Sequence, residues 1–238
     1  MNTIWSDFVQ NPGTLYASRM LRFSDAYMAA YRKMFDIAGR KRFLEIGCGP
    51  GALAQALARW YPGAEVIGID RDAAFVQYAA QQAPHIQFLE ADAAALPFED
   101  GTFDVTISNT VQEHMEPSAF FGEQYRVLKE GGVCLVLSAR RGSSVEADCI
   151  SARSRCEEAV WARVADHIEK FRREHGVGQY AMRESELPSV MERYGFKQIS
   201  TDYLVVNLTP DNPGNSRALA HAMINANRQT ELDAVSAL

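Results

Sequence analysis

Glu45-Ile-Gly-Cys-Gly-Pro-Gly51 follows the apolar run Arg42–Ile46 and precedes Ala52–Tyr61, a segment of helical composition stopped by Pro62-Gly63. Alternating glycines between a strand and a helix make a sharp turn along which a ligand can approach the main chain closely. The free amides at the start of the helix favour negative charge in the same crevice. Gly47-Cys-Gly49-Pro-Gly-Ala52 also satisfies a dinucleotide-binding fingerprint, so the turn alone leaves the ligand open.

Outward from this turn the chain alternates strand and helix. Glu65–Asp70 reads as a second strand, and Asp72 can cap a helix running to about Gln82. Ile86–Glu90 is a third strand and Phe103–Asn109 a fourth. Pro117–Leu128 is a helix, Lys129-Glu-Gly-Gly132 a turn, and Val133–Ala139 a fifth strand. Strands separated by helices cannot pair as hairpins, so they favour a parallel sheet covered on both faces. In such a sheet ligands bind beyond the carboxyl ends of the strands, where the glycine turn lies. Before this core, Leu15–Ile37 reads as an aromatic-rich helix. After it, Ile150–Glu174 and Glu184–Tyr194 are helices, Phe196–Leu208 has strand composition, and Ser216–Ser236 is a polar helix. For Phe196–Leu208 the reading favours one long strand over a pair turning at Thr201-Asp202.

Three features separate the possible ligands. Glu45 stands two residues before the first glycine, where an acid suits an ammonium group and would be a poor neighbour for a pyrophosphate. Glu90-Ala-Asp92 puts a carboxylate at the end of the third strand, within reach of an exocyclic amine. Leu96-Pro-Phe98-Glu-Asp-Gly101-Thr-Phe-Asp104-Val leads into the fourth strand, whereas Asp70, ending the second strand, can accept both hydroxyls of a ribose and fits either ligand. Together with Val66-Ile-Gly-Ile-Asp70, Leu96-Pro-Phe98, Phe103-Asp-Val105 and Leu128-Lys-Glu-Gly-Gly132, this order and spacing resembles the class I methyltransferases that use S-adenosylmethionine (SAM). The resemblance spans about Lys41 to Ala139 and is closest to the small-molecule branch that includes ubiquinone and menaquinone C-methyltransferases.

The resemblance implies an α/β, Rossmann-like, doubly wound and mostly parallel sheet of six or seven strands with helices on both faces. It adds helical lid segments at the N-terminus and after the fifth strand. One domain spans 1–238: a helical cap (1–40), a SAM-binding core (41–139), a lid insertion (140–182) and a C-terminal part (183–238). Carried over by position, Gly47, Gly49 and Gly51 pass beneath the methionine part of SAM, and Glu45 orders that turn or binds the amino group. Asp70 takes the ribose hydroxyls, and Arg71 flanks the adenine. Asp92 and the Ala93 amide meet the adenine edge, and Asn109 ends the fourth strand beside the sulfonium. His114, in Gln112-Glu-His-Met115, is the candidate base, because its unperturbed pKa lies near ~6.5; Glu113 reads as a possible surface acid. Tyr16, Arg19, Tyr27 and Trp161 are candidates for lid or substrate contacts.

A net charge of −6 argues against a bare nucleic-acid binder. Arg140-Arg141 and Arg172-Arg173 read as solvated pairs. Cys48, Cys134, Cys149 and Cys156 have no zinc-like spacing, and no disulfide or metal is assigned. No signal peptide and no membrane span is expected, so the expected location is the cytoplasm, as a monomer or homodimer acting on a small molecule. The competing readings are an NAD-dependent oxidoreductase and a non-catalytic SAM-binding protein.

Overall fold

Phe43 and Leu44 point to opposite faces of one strand and are both fully buried, so the sheet must be covered on both sides. The computed structural model, which describes residues 5–6, 11–138, 154–183 and 185–236, shows how. Five parallel strands lie in the order β3-β2-β1-β4-β5, with β1 Arg42–Ile46, β2 Glu65–Asp70, β3 Gln87–Glu90, β4 Phe103–Asn109 and β5 Leu128–Leu137. On one face Phe43, Val105 and Ile107 pack with Leu53, Leu57 and Trp60 of α3 (Ala52–Trp60). α1 (Pro12–Arg22) and α2 (Met28–Phe35) flank that layer. On the other face Leu44, Ile46 and Ile69 meet Phe120 and Phe121 of α5 (Pro117–Val127) and Val190 of α7 (Leu187–Arg193).

The expected single helix Leu15–Ile37 is two. Asp25 accepts hydrogen bonds from the Arg59 guanidinium and the Trp60 indole (2.8 Å), which bends the chain through a short turn at Asp25–Tyr27. The bend lets Tyr31 stack on Trp60, with ring centroids 5.1 Å apart. α4 (Ala73–Gln82) starts as expected: the Asp72 carboxylate accepts the Ala74 and Phe75 amides, and also the Ser6 amide and hydroxyl. Losing such a cap costs about 1–2 kcal/mol. Asp72→Ala is therefore expected to lower the urea midpoint with an unchanged slope in equilibrium denaturation.

One strand boundary and the strand count differ from expectation. β5 begins at Leu128 and absorbs the turn expected at Lys129–Gly132, through a register irregularity against Phe103–Val105. Among the described residues the sheet has five strands, not six or seven, because Phe196–Leu208 forms none. Gln198 has φ +55, which kinks the path, and Tyr27 Oη donates to the Asn207 carbonyl at 2.7 Å. Leu204 and Val206 nevertheless pack against the α3-side core, while Val205 points to solvent at 85% exposure. The segment keeps its alternating burial and lacks the ladder. α6 runs Arg155–His175 from a capping box at Ser154 and Glu157, and α8 runs Arg217–Ser236. α8 lies against α1 and α6. Arg140, Arg141 and Cys149 fall outside the described residues, whereas Cys156 is a free, exposed thiol.

Candidate functional site

Parallel strands in register end together, so Ile46, Asp70, Glu90 and Asn109 deliver their following turns to one edge of the sheet. A cavity of about 550 Å³ opens there, within the range of small-molecule sites. Its floor is the glycine turn. Gly47 has φ +67, and a Cβ there would stand 2.4 Å from Val111 Cγ2, so only glycine fits. Gly51 is different. Its added Cβ would meet Ala79 and Phe88, so it seats the turn on α4 and β3 and does not line the cavity.

The alternation of β1 sends Glu45 to the same face as Phe43, beneath the first turn of α3. The carboxylate is 2% exposed, takes a hydrogen bond from the Ala54 amide, and leaves Oε2 buried with no partner among the described residues. Burial pushes its pKa well above the usual carboxylate range. The Asp70 charge adds to the shift; the Ala54 amide and Arg19 oppose it. Asp70 accepts the Gly49 amide (2.8 Å) and the Asp72 amide (2.9 Å), tying the glycine turn to the end of β2. Burial raises Asp70 as well, against those two bonds. Asp92 is exposed, and its Oδ1 accepts the Ala94 amide, so one oxygen caps the local turn while the residue lines the cavity.

Arg19 reaches the cavity from α1 and donates to Thr110 Oγ1 at 3.1 Å. Burial lowers its pKa to about 10, helped by Arg22 and opposed by Glu113 and Glu45, which leaves it cationic at neutral pH. Thr110 holds φ +57, a strained value for a β-branched residue, directly after Asn109 at the strand end. Opposite, His114 packs its ring against Trp5, 4.6 Å between centroids, and Arg71 stands 6.0 Å from the same indole. The His114 Nδ1 accepts the Gly178 amide at 3.0 Å, so the neutral ring carries its proton on Nε2.

Of the residues singled out from the sequence, Arg19, Glu45, Gly47, Gly49, Asp70, Arg71, Asp92, Ala93, Asn109, His114 and Trp161 meet at this cavity. Tyr16 and Tyr27 do not. Tyr16 Oη donates to Gln55 Oε1 and so holds α1 on α3, and Tyr27 anchors the 207 region. Several cavity residues were not anticipated: Trp5, Thr110, Phe171, Arg172, Thr230 and Asp233. Arg172 corrects the reading of Arg172-Arg173 as a solvated pair. It shares a helix face with Val164, Ile168 and Phe171, and that spacing was available in the sequence. Glu113 likewise faces inward: its Oε2 is buried.

Residues 44–136 match the family model described as a methyltransferase domain. A demethylmenaquinone methyltransferase of Thermus thermophilus is 40% identical over 128 residues, covering 50% of this chain and 58% of that protein. A fatty-acid O-methyltransferase of Mycolicibacterium smegmatis is 36% identical over 109 residues, covering 44% and 39%. The chain spans roughly half the length of the curated relatives it matches. Among solved structures, phosphoethanolamine N-methyltransferase 2 of Haemonchus contortus in complex with SAM aligns over 95% of this chain and 55% of that one. Its TM-score is 0.62 at 17% identity, a likeness of fold.

Proposed function

We propose that this chain, whose residues 44–136 match a methyltransferase domain, is a class I SAM-dependent methyltransferase that transfers a methyl group from SAM to a small-molecule acceptor. The observation that carries the reading is the buried, unpartnered Glu45 Oε2 beneath a glycine turn tied to Asp70. A buried carboxylate oxygen without a partner is costly, and a ligand ammonium relieves it. The site therefore fits the cofactor at a point where a dinucleotide would bring phosphate.

Bound SAM supplies a methyl group already attached to a good leaving group, so what the chain must provide is alignment and exclusion of water. In this reading Gly47 and Gly49 let the methionine part approach the backbone. Glu45 pairs with its ammonium, and Arg19, held by Thr110, with its carboxylate. Asp70 receives the ribose hydroxyls. Asp92 and the Ala93 amide meet the adenine edge, with Arg71 and Trp5 beside it. Asn109 stands at the sulfonium. α1, α6 and α8 form the roof, with Trp161 in its inner wall, and residues 41–139 form the cofactor core. His114 enters as a hydrogen-bond donor through Nε2, since its Nδ1 accepts from Gly178. The demethylmenaquinone methyltransferases among the relatives support a ring-bearing acceptor. Among the described residues, no helix is long and apolar enough to cross a membrane.

Calorimetry with SAM, S-adenosylhomocysteine and NAD tests the reading. Saturable binding of the first two without NAD binding is expected. NAD binding without SAM binding would overturn it.

A further inference from the structure

The short turn Gln112–His114, directly after β4, is fastened to the loop that follows α6. Gly178 N–H donates to His114 Nδ1, Tyr180 N–H donates to the Glu113 carbonyl, and Gln112 Nε2 donates to the Tyr180 carbonyl, each at 3.0 Å. These bonds hold Gln112 and His114 against the loop and turn the Glu113 side chain into the cavity. There its Oε2 is buried and has no hydrogen-bond partner among the described residues. Val111, Met115, Val164 and Ile168 line the same cavity and give it an apolar part. A carboxylate oxygen taken out of water with nothing donating to it is a demand for a donor from the ligand.

Two similar oxygens lie at the same cavity. Glu45 Oε2 is under the glycine turn and answers to the cofactor's ammonium. Asp233 Oδ2 belongs to α8, where the other oxygen already accepts from Gln229 at 2.8 Å. Glu113 alone of the three follows β4, where the reacting methyl would lie. His114 cannot take a proton on Nδ1 without losing the Gly178 bond, and its neutral form already carries one on Nε2. Charge decides the kind of donor. Arg19, which is electrostatically coupled to Glu113, and the cofactor's sulfonium are both cationic. They favour a group that becomes anionic as it attacks and repel an ammonium. A neutral amine attacks through its lone pair and needs no base beforehand.

Resting on the methyltransferase reading, we infer that Glu113 is the general base of this site and that the acceptor is an apolar ring bearing a hydroxyl group. In the transfer the acceptor oxygen forms a bond to the methyl carbon, and the carbon–sulfur bond breaks with its electron pair going to sulfur. The hydroxyl proton goes to Glu113 Oε2, so charge and atoms balance.

The test uses the full chain with labelled SAM, and compares a naphthol with the naphthylamine of the same shape. Wild-type protein methylates the naphthol in preference to the amine. Glu113→Gln lowers kcat on the naphthol about a hundredfold, a usual size for loss of a general base. Glu113→Asp recovers part of that rate. Calorimetry supplies a readout apart from turnover. Glu113→Gln binds S-adenosylhomocysteine within about threefold of wild type, which also shows that it is folded. Its S-adenosylhomocysteine complex binds the naphthol about tenfold more weakly, the equivalent of one charge-assisted hydrogen bond. Undiminished turnover in Glu113→Gln overturns the inference, as does transfer to the amine alone, or no transfer to the naphthol by a chain that binds SAM. Failure of the wild-type chain to bind S-adenosylhomocysteine instead sinks the methyltransferase reading beneath it.

Discussion

Replacing Asp70 with alanine is expected to weaken S-adenosylhomocysteine binding about 10²–10⁴-fold. In the proposed complex its carboxylate accepts two ribose hydroxyls, and charge-assisted hydrogen bonds of this kind are worth roughly 1.5–3 kcal/mol each. The same carboxylate accepts the Gly49 and Asp72 amides, so alanine also releases the floor of the cavity from the end of β2. Both effects act in one direction. Asp92→Ala should cost far less, because Asp92 is exposed and the hydrogen bond that its carboxylate accepts, from the Ala94 amide, is local. Calorimetric titration of the two variants beside wild type reads the difference, and a thermal melt of each establishes that it is folded. Equal affinity of Asp70→Ala and wild type would remove Asp70 from the site.

The contrast between Asp70 and Glu113 shows what can be read from the chain alone. Asp70 ends a strand of period two and follows the glycine turn at a fixed distance. Its place at the mouth of the cavity follows from strand length and parallel pairing, both visible in Val66–Asp70. Glu45 is legible in the same way, since alternation with Phe43 sends it under α3. Glu113 has no such register. Its direction is set by hydrogen bonds from residues 178–180, which lie more than sixty positions away. No local pattern encodes that contact. Thr110 is hidden for another reason: a β-branched residue at φ +57 contradicts its own propensity and is held by its surroundings. Phe196–Leu208 is the converse case. Its composition and alternation are those of a strand, and Leu204 and Val206 are half-buried as alternation requires, but the kink at Gln198 keeps its backbone off the sheet. Hydrophobic period reports which side chains turn inward and does not report a hydrogen-bonded partner.

The affinity for SAM should rise with pH, and Glu45 should be the cause. Burial holds its carboxyl well above the ordinary carboxylate range in the cofactor-free chain. An ammonium placed at Oε2 favours the charged form, so binding lowers that pKa and releases a proton. Over the window between the ordinary value and the raised one, affinity gains up to about tenfold per pH unit. Stability without cofactor runs the opposite way. A carboxyl whose folded pKa lies above its unfolded one is bound to more protons in the folded state, so its stabilising contribution is complete below the unfolded pKa. It is lost as pH rises toward the folded value. Asp70, also raised by burial, adds in the same direction. Asp104 and Glu123 are lowered and act oppositely, but both are held by partly exposed ion pairs, which are worth little. Glu45→Gln keeps the shape and removes the titration. It should be at least as stable as wild type at neutral pH, bind SAM more weakly there, and show a flat pH dependence. Calorimetry in buffers of different ionisation enthalpy counts the released proton directly. A wild-type affinity as flat with pH as that of Glu45→Gln, with no proton released, would show that Glu45 does not meet the cofactor's ammonium.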